Sequence, residues 1–235
     1  MTKKRGGPPT QVHEAIAAAM ERTQKWREEQ AAARGVSLEE VDALEEQDRR
    51  REDRMRALAR SGISLPVEDL AKLASDELDE TEPLDLVKRW WGADLERPIL
   101  LLCGAVGVGK TLAAGWAVAA CGGGSVIHAP ELARRILPTR TEVEAGFEPV
   151  NLRTSLLVLD DLGTEADAGF ARWSEALALL VERRLMVGRT IVTSNMGRRQ
   201  FRPRYGDRIA SRLNAHAYVV ELQAKTSLRK TGGGL

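Results

Sequence analysis

The sequence predicts an α/β fold: a parallel sheet with helices on both faces, preceded by a small helical N-terminal region. Three observations predict it. After residue 86, short apolar runs alternate with stretches of helical character. A glycine-rich turn joins the first of those runs to an Ala-rich segment. Before residue 60 the chain is dense in charge and follows helical periodicity. With 235 residues, 43% of them apolar, the chain has enough material for one full domain plus an appendage.

The elements follow in order. Val12, Ile16, Ala19, Met20 and Trp26 recur at helical steps, and Gly35 is a stop. Ser37 and Glu40 have the spacing of a capping box, in which hydroxyl and carboxylate satisfy free amides at a helix start. The helix they open carries Leu38, Val41 and Leu44, then the mixed-sign block 45–54, which reads as a solvated face. Residues 61–85 hold one Lys and eight acids, with Pro66 and Pro83 as punctuation, and predict a short helix and an acidic linker. The composition thus divides the chain into an N-terminal region, 1–84, and a second domain, 85–235. In the second part the predicted strands are 98–103, 125–129, 155–160, 190–195 and 217–222. Helices are predicted over 110–120, 130–137, 168–187 and about 206–214. Strands separated by helices imply parallel pairing with both faces covered.

Composition excludes several classes. Lys plus Arg is 35 and Asp plus Glu is 34, so a uniformly basic nucleic-acid coat is excluded, although a local basic patch is not. Two cysteines, Cys103 and Cys121, make neither a disulfide framework nor an all-cysteine zinc site. His13, His128 and His216 are scattered without ligand spacing, and residues 1–85 contain no cysteine, so no N-terminal zinc site is expected. No apolar run approaches 18 residues, and no signal core follows the basic start. A cytoplasmic protein with no membrane partner is the expectation.

The sharpest motif is Gly104-Ala105-Val106-Gly107-Val108-Gly109-Lys110-Thr111, a full match to G-x-x-x-x-G-K-[ST], with Leu112 leading on into the helix. Glycines let the backbone curl until successive amides point at phosphate oxygens. The helix that starts at Lys110 turns its positive end toward the same anion. Lys110 would contact the β- and γ-phosphates, and the Thr111 hydroxyl would bind Mg²⁺. ATP with Mg²⁺ is therefore the expected cofactor pair.

The run 155–161 is an apolar strand ending in Asp160 and Asp161, at the strand end where ligands bind in open α/β sheets. Asp160 would hold Mg²⁺ and Asp161 would orient or deprotonate the attacking water. Together with the loop they predict an ATPase, releasing ADP and phosphate.

Taken with the runs LLVLDDLGTE (156–165), TIVTSN (190–195), YGDRIASRL (205–213) and SLRK (227–230), the phosphate loop resembles the AAA+ helicase loaders of the DnaC/DnaI type. The related IstB transposition helpers are similar too. The resemblance covers about residues 86–230 and implies a P-loop NTPase fold of the AAA+/ASCE kind. It also implies roles. Asn195 resembles the sensor-1 residue that reads the γ-phosphate, and a strand-tip amide has the donors for it. Arg212 resembles the arginine finger offered to a neighbouring subunit's ATP, with Arg208 on the same helical face in support. Arg229 matches the terminal arginine of the family's tail. Two features depart from AAA+ proteins at large. The acidic strand ends in Asp-Asp rather than Asp-Glu, and little chain follows the last strand to build a helical lid. Both also occur in the loader clade.

The implied function is loading a replicative hexameric helicase on single-stranded DNA. ATP would control assembly and release, and the protein would associate with itself when ATP is bound. The N-terminal region would bind the protein partner. The alternative is an IstB-type transposition helper that assembles on DNA and recruits a transposase. A small-molecule kinase would need a lid that the sequence does not offer. For nucleic acid, Arg198, Arg199, Arg202 and Arg204 cluster around Phe201 and Tyr205, as if to track phosphates and stack bases. Residues 138–150 fill the position of the clade's DNA-facing insertion. Trp90 and Trp91 read as packing residues.

Overall fold

The computed structural model describes residues 11–93, 96–136, 154–166 and 170–223. The chain divides into two compact units, residues 1–51 and 52–235. The first contains α1 (Gln11–Arg34) and the opening of α2 (Leu38–Ser61). The predicted capping box forms: the Glu40 amide donates to Ser37 Oγ at 3.2 Å, and the Ser37 amide donates to Glu40 Oε2 at 2.7 Å. Arg27 of α1 pairs with Asp42 and Glu45 of α2, at 3.5 and 3.2 Å. Ala31 and Val41 are buried, whereas Ile16, Met20 and Trp26 stay more than half exposed. The apolar face predicted for α1 is thus largely open to water.

The second unit is built on a five-stranded sheet among the described residues. Its strands are β1 (Ile99–Gly104), β2 (Ser125–His128), β3 (Leu156–Leu162), β4 (Arg189–Ser194) and β5 (Ala217–Leu222). They run in the order β2-β3-β4-β1-β5, and every pair is parallel. Side chains alternate across a strand, so β1 feeds two cores. Ile99, Leu101 and Cys103 pack with α6 (Ala129–Ile136), α7 (Phe170–Leu185) and α8 (Phe201–His216). Leu100 and Leu102 pack with α3 (Val67–Ser75), α4 (Glu82–Gly92) and α5 (Lys110–Ala120). The expected arrangement, helices on both faces of a parallel sheet, is the one observed.

Two differences from the sequence reading have clear causes. Residues 61–85 are more than a linker: α3 and α4 put Leu73, Leu84, Val87 and Trp90 into the β1–α5 core, and Leu58 of α2 joins them. The eight acids of that stretch mask an apolar face at helical spacing. Thr81 caps α4, accepting from the Leu84 amide at 3.4 Å, so the helix starts inside the supposed linker. The helix near 206–214 begins earlier, at Phe201, and is broken at Gly206, whose φ of 81° and ψ of 173° lie outside the helical region.

Candidate nucleotide site

The strand order decides what meets. After β1 the chain crosses to the far edge and returns through β3 and β4, so β4 lies between β1 and β3. The carboxyl ends of these three strands carry the phosphate loop, Asn195 and the Asp160–Asp161 pair, and the crevice outside such ends is where open α/β sheets bind ligands.

At the end of β1 the chain passes so close to β5 that a Cβ on Gly104 would lie 2.6 Å from the Leu222 carbonyl oxygen. Gly109, with φ of 92°, precedes α5 and offers no side-chain cap, which leaves the first-turn amides of α5 to an anion. Lys110 is 5% exposed. Its Nζ donates to the carbonyls of Gly104 (2.9 Å) and Ala105 (2.8 Å) and to Asn195 Oδ1 (3.0 Å). Asn195 Nδ2 donates in turn to Asp161 Oδ1 at 3.4 Å. The sensor candidate therefore bridges the loop lysine and the candidate base, as its strand between theirs requires.

Thr111 Oγ1 donates to Asp160 Oδ1 at 3.0 Å. Thr193, fully buried on β4, donates to the same oxygen at 2.6 Å and accepts from the Asp161 amide at 3.0 Å. Burial pushes the Asp160 carboxyl above its ordinary range, against the lowering effect of the Thr193 hydrogen bond, with the Asp161 charge adding to the rise. A buried carboxylate beside a hydroxyl is a hard-oxygen donor set that suits Mg²⁺ and gains from its charge.

Asp161 is set apart by its backbone. Successive strand residues point to opposite faces, but the β3–β4 register shifts between Leu159 and Leu162, and Asp161 has φ of 57°. Both carboxylates consequently converge with His128, the three ligand atoms lying within 4.8 Å of one another. His128 Nε2 is 3.1 Å from Asp161 Oδ2 and donates to it, since an ionised carboxylate only accepts. The sequence reading set His128 aside for lack of ligand spacing. Strand pairing, His128 against Asp160, supplies the proximity that spacing could not. Thr193 was missed for the same reason.

Arg208 and Arg212 do not join this cluster within the chain. Their partners are Glu182 of α7 and each other. The aromatic members of the predicted arginine–aromatic cluster are buried. Phe201 and Tyr205 are each 4% exposed and belong to the core, so neither ring is open to a base. Tyr205 donates to the buried carboxylate of Glu165 at 2.9 Å, and Arg204 lies over the Phe170 ring and donates to the Glu165 carbonyl at 2.7 Å. Arg198, Arg199 and Arg202 remain exposed, at the rim of a cavity of about 610 Å³ floored by Leu101, Leu213 and Val219. Trp90 is buried, with Arg189 stacked over both tryptophans, as packing residues should be. Residues 138–150 and Arg229 lie outside the described residues.

A search of known protein-family profiles finds no match, nor does one of curated protein sequences. Solved structures do match. A proposed primosome component from Streptococcus pyogenes serotype M3 is 18% identical over 68% of this chain and 90% of its own, with a TM-score of 0.51. DnaI is 21% identical over 70% of this chain and 94% of its own, with a TM-score of 0.50. The replication initiator DnaA bound to AMPPCP and single-stranded DNA is 20% identical over 65% of this chain and 49% of its own, also with a TM-score of 0.50. No described helix is long and apolar enough to cross a membrane. The chain has a parallel α/β fold with a glycine-rich loop after its first strand, and in that fold it is similar to DnaI and to the DnaA structure.

Proposed function

We propose that this protein is a Mg²⁺-dependent ATPase of DNA replication that binds a replicative hexameric helicase and loads it on single-stranded DNA. The observation that carries the ATPase reading is the chain of contacts from Lys110 through Asn195 to Asp161, beside the Thr111–Asp160 pair. Lys110 and the α5 amides bind the phosphates. Thr111 and Asp160 would hold Mg²⁺, which would supply positive charge to neutralise the phosphates. Asp161 accepts a proton from the attacking water, and Asn195 orients it. Arg212, supported by Arg208, completes the site of a neighbouring protomer, so turnover depends on assembly. The fold shared with DnaI, and with a DnaA that is bound to AMPPCP and single-stranded DNA, supports the replication role. The open apolar face of α1 supports partner binding by the N-terminal region. The exposed Arg198, Arg199 and Arg202 support contact with DNA backbone.

Lys110→Ala is expected to abolish tight ATP binding, read by equilibrium titration with a fluorescent ATP analogue. Unchanged affinity would reject the site. With the full-length protein, a hexameric helicase is expected to co-elute on size exclusion only with ATP present. Assembly on duplex DNA without helicase capture would favour the transposition helper instead.

A further inference from the structure

Glu182 lies on α7, outside the nucleotide cluster, and no feature of the sequence singles it out. Its Oε1 accepts from Arg208 Nη2 at 3.2 Å and from Arg212 Nη2. Arg212 Nη1 also donates to the Arg208 carbonyl at 3.2 Å. One carboxylate oxygen thus gathers two guanidinium groups that stand one helical turn apart. Like charges at this spacing repel, so the pair is held together by the acid between them. The hydrogen bond from Arg208, with the charges of both arginines, holds the Glu182 carboxyl below the usual carboxylate range. The acid has a firm base, because Trp173, Leu177, Leu180 and Val181 of α7 are in the core. Among the described residues Arg212 uses two of its five N–H donors here, which leaves three for phosphate oxygens.

We propose that Glu182 is the positioning residue of the arginine finger: it fixes the planar fork of Arg212 beside Arg208 so that the remaining donors are preset for a neighbour's γ-phosphate. This rests on the reading of Arg212 as a finger acting between protomers. A guanidinium displaced by about 1 Å costs up to two orders of magnitude in rate. Glu182→Ala should therefore keep ATP affinity and lose about tenfold in the turnover of assembled protein.

The test uses full-length protein and two mixing experiments. Lys110→Ala protomers lack a working site but keep their finger; Arg212→Ala protomers have the reverse. Mixing them should restore turnover. Mixing Lys110→Ala with Glu182→Ala should restore it as well, because the intact finger then serves the Glu182→Ala site. A fault in folding or in the site itself would not be rescued this way. Should Glu182→Ala not fold, Glu182→Leu, of similar bulk and without an acceptor, carries the same test. Turnover of the folded variant at or above the parent level overturns the proposal, as does a loss that mixing fails to repair or a loss of ATP affinity. If Arg212→Ala itself turns over normally, the finger reading fails first; if Arg212→Ala collapses while Glu182→Ala does not, only the positioning role fails.

Discussion

Asp160 keeps 7% of its surface exposed and accepts two hydroxyl hydrogen bonds, yet its carboxyl is pushed upward by burial. The folded value therefore lies above the unfolded one, and between the two the folded protein holds more protons. The stability this group confers is complete below the ordinary carboxylate value, roughly 4, and is lost as pH rises through the folded value. Asp160→Asn removes that loss while keeping an acceptor for Thr111 and Thr193. Its melting temperature at neutral pH should equal or exceed the parent's, while Mg²⁺-dependent turnover falls about a hundredfold or more. A lower melting temperature by calorimetry would contradict this account. Lys110, Thr111 and Asp160 were legible because their motif is local. His128 was not, since 32 residues separate it from Asp160 and only the pairing of β2 with β3 makes them neighbours.

At the scale of elements, α8 shows what local pattern can and cannot tell. Its second segment, with Ile209 and Leu213 buried, follows helical spacing and was readable. The first segment was not, because Pro203 and two arginines give residues 201–205 the texture of a loop. What fixes it is tertiary: Phe201 and Tyr205 enter the core, and the Tyr205 hydroxyl reaches Glu165 just beyond β3. The break at Gly206 then turns the chain so that Arg208 and Arg212 meet α7. At φ of 81° and ψ of 173° the position suits glycine almost alone, and a Cβ there would meet nothing within 4 Å. Gly206→Ala should thus cost about 1–3 kcal/mol through the backbone alone. Urea unfolding would read it, and a change below about 0.5 kcal/mol would mean that the break is not kept in solution. The acidic stretch 61–85 failed in the other direction, its charge density outweighing the apolar spacing of Leu73, Leu84 and Val87.

For the whole molecule, element order was legible and strand order was not: which strand lies between which is set by long-range pairing that no local run of residues encodes. The near balance of 35 cationic and 34 anionic residues means that any hold on DNA comes from where charges sit. Arg198, Arg199 and Arg202 stand together and exposed on the β5 side of the sheet. If each neutralises one phosphate of a single strand, replacing all three by alanine flattens the slope of log affinity against log salt by about 2. Fluorescence anisotropy with an oligothymidine would measure it, and an unchanged slope would move the DNA contact elsewhere. The approach of Leu222 to Gly104 has a wider consequence. The last residue of the edge strand and the first of the nucleotide loop share a backbone contact with no room for a methyl group. A shift of Leu222 is therefore felt at Gly104 from backbone to backbone, without passing through any side chain.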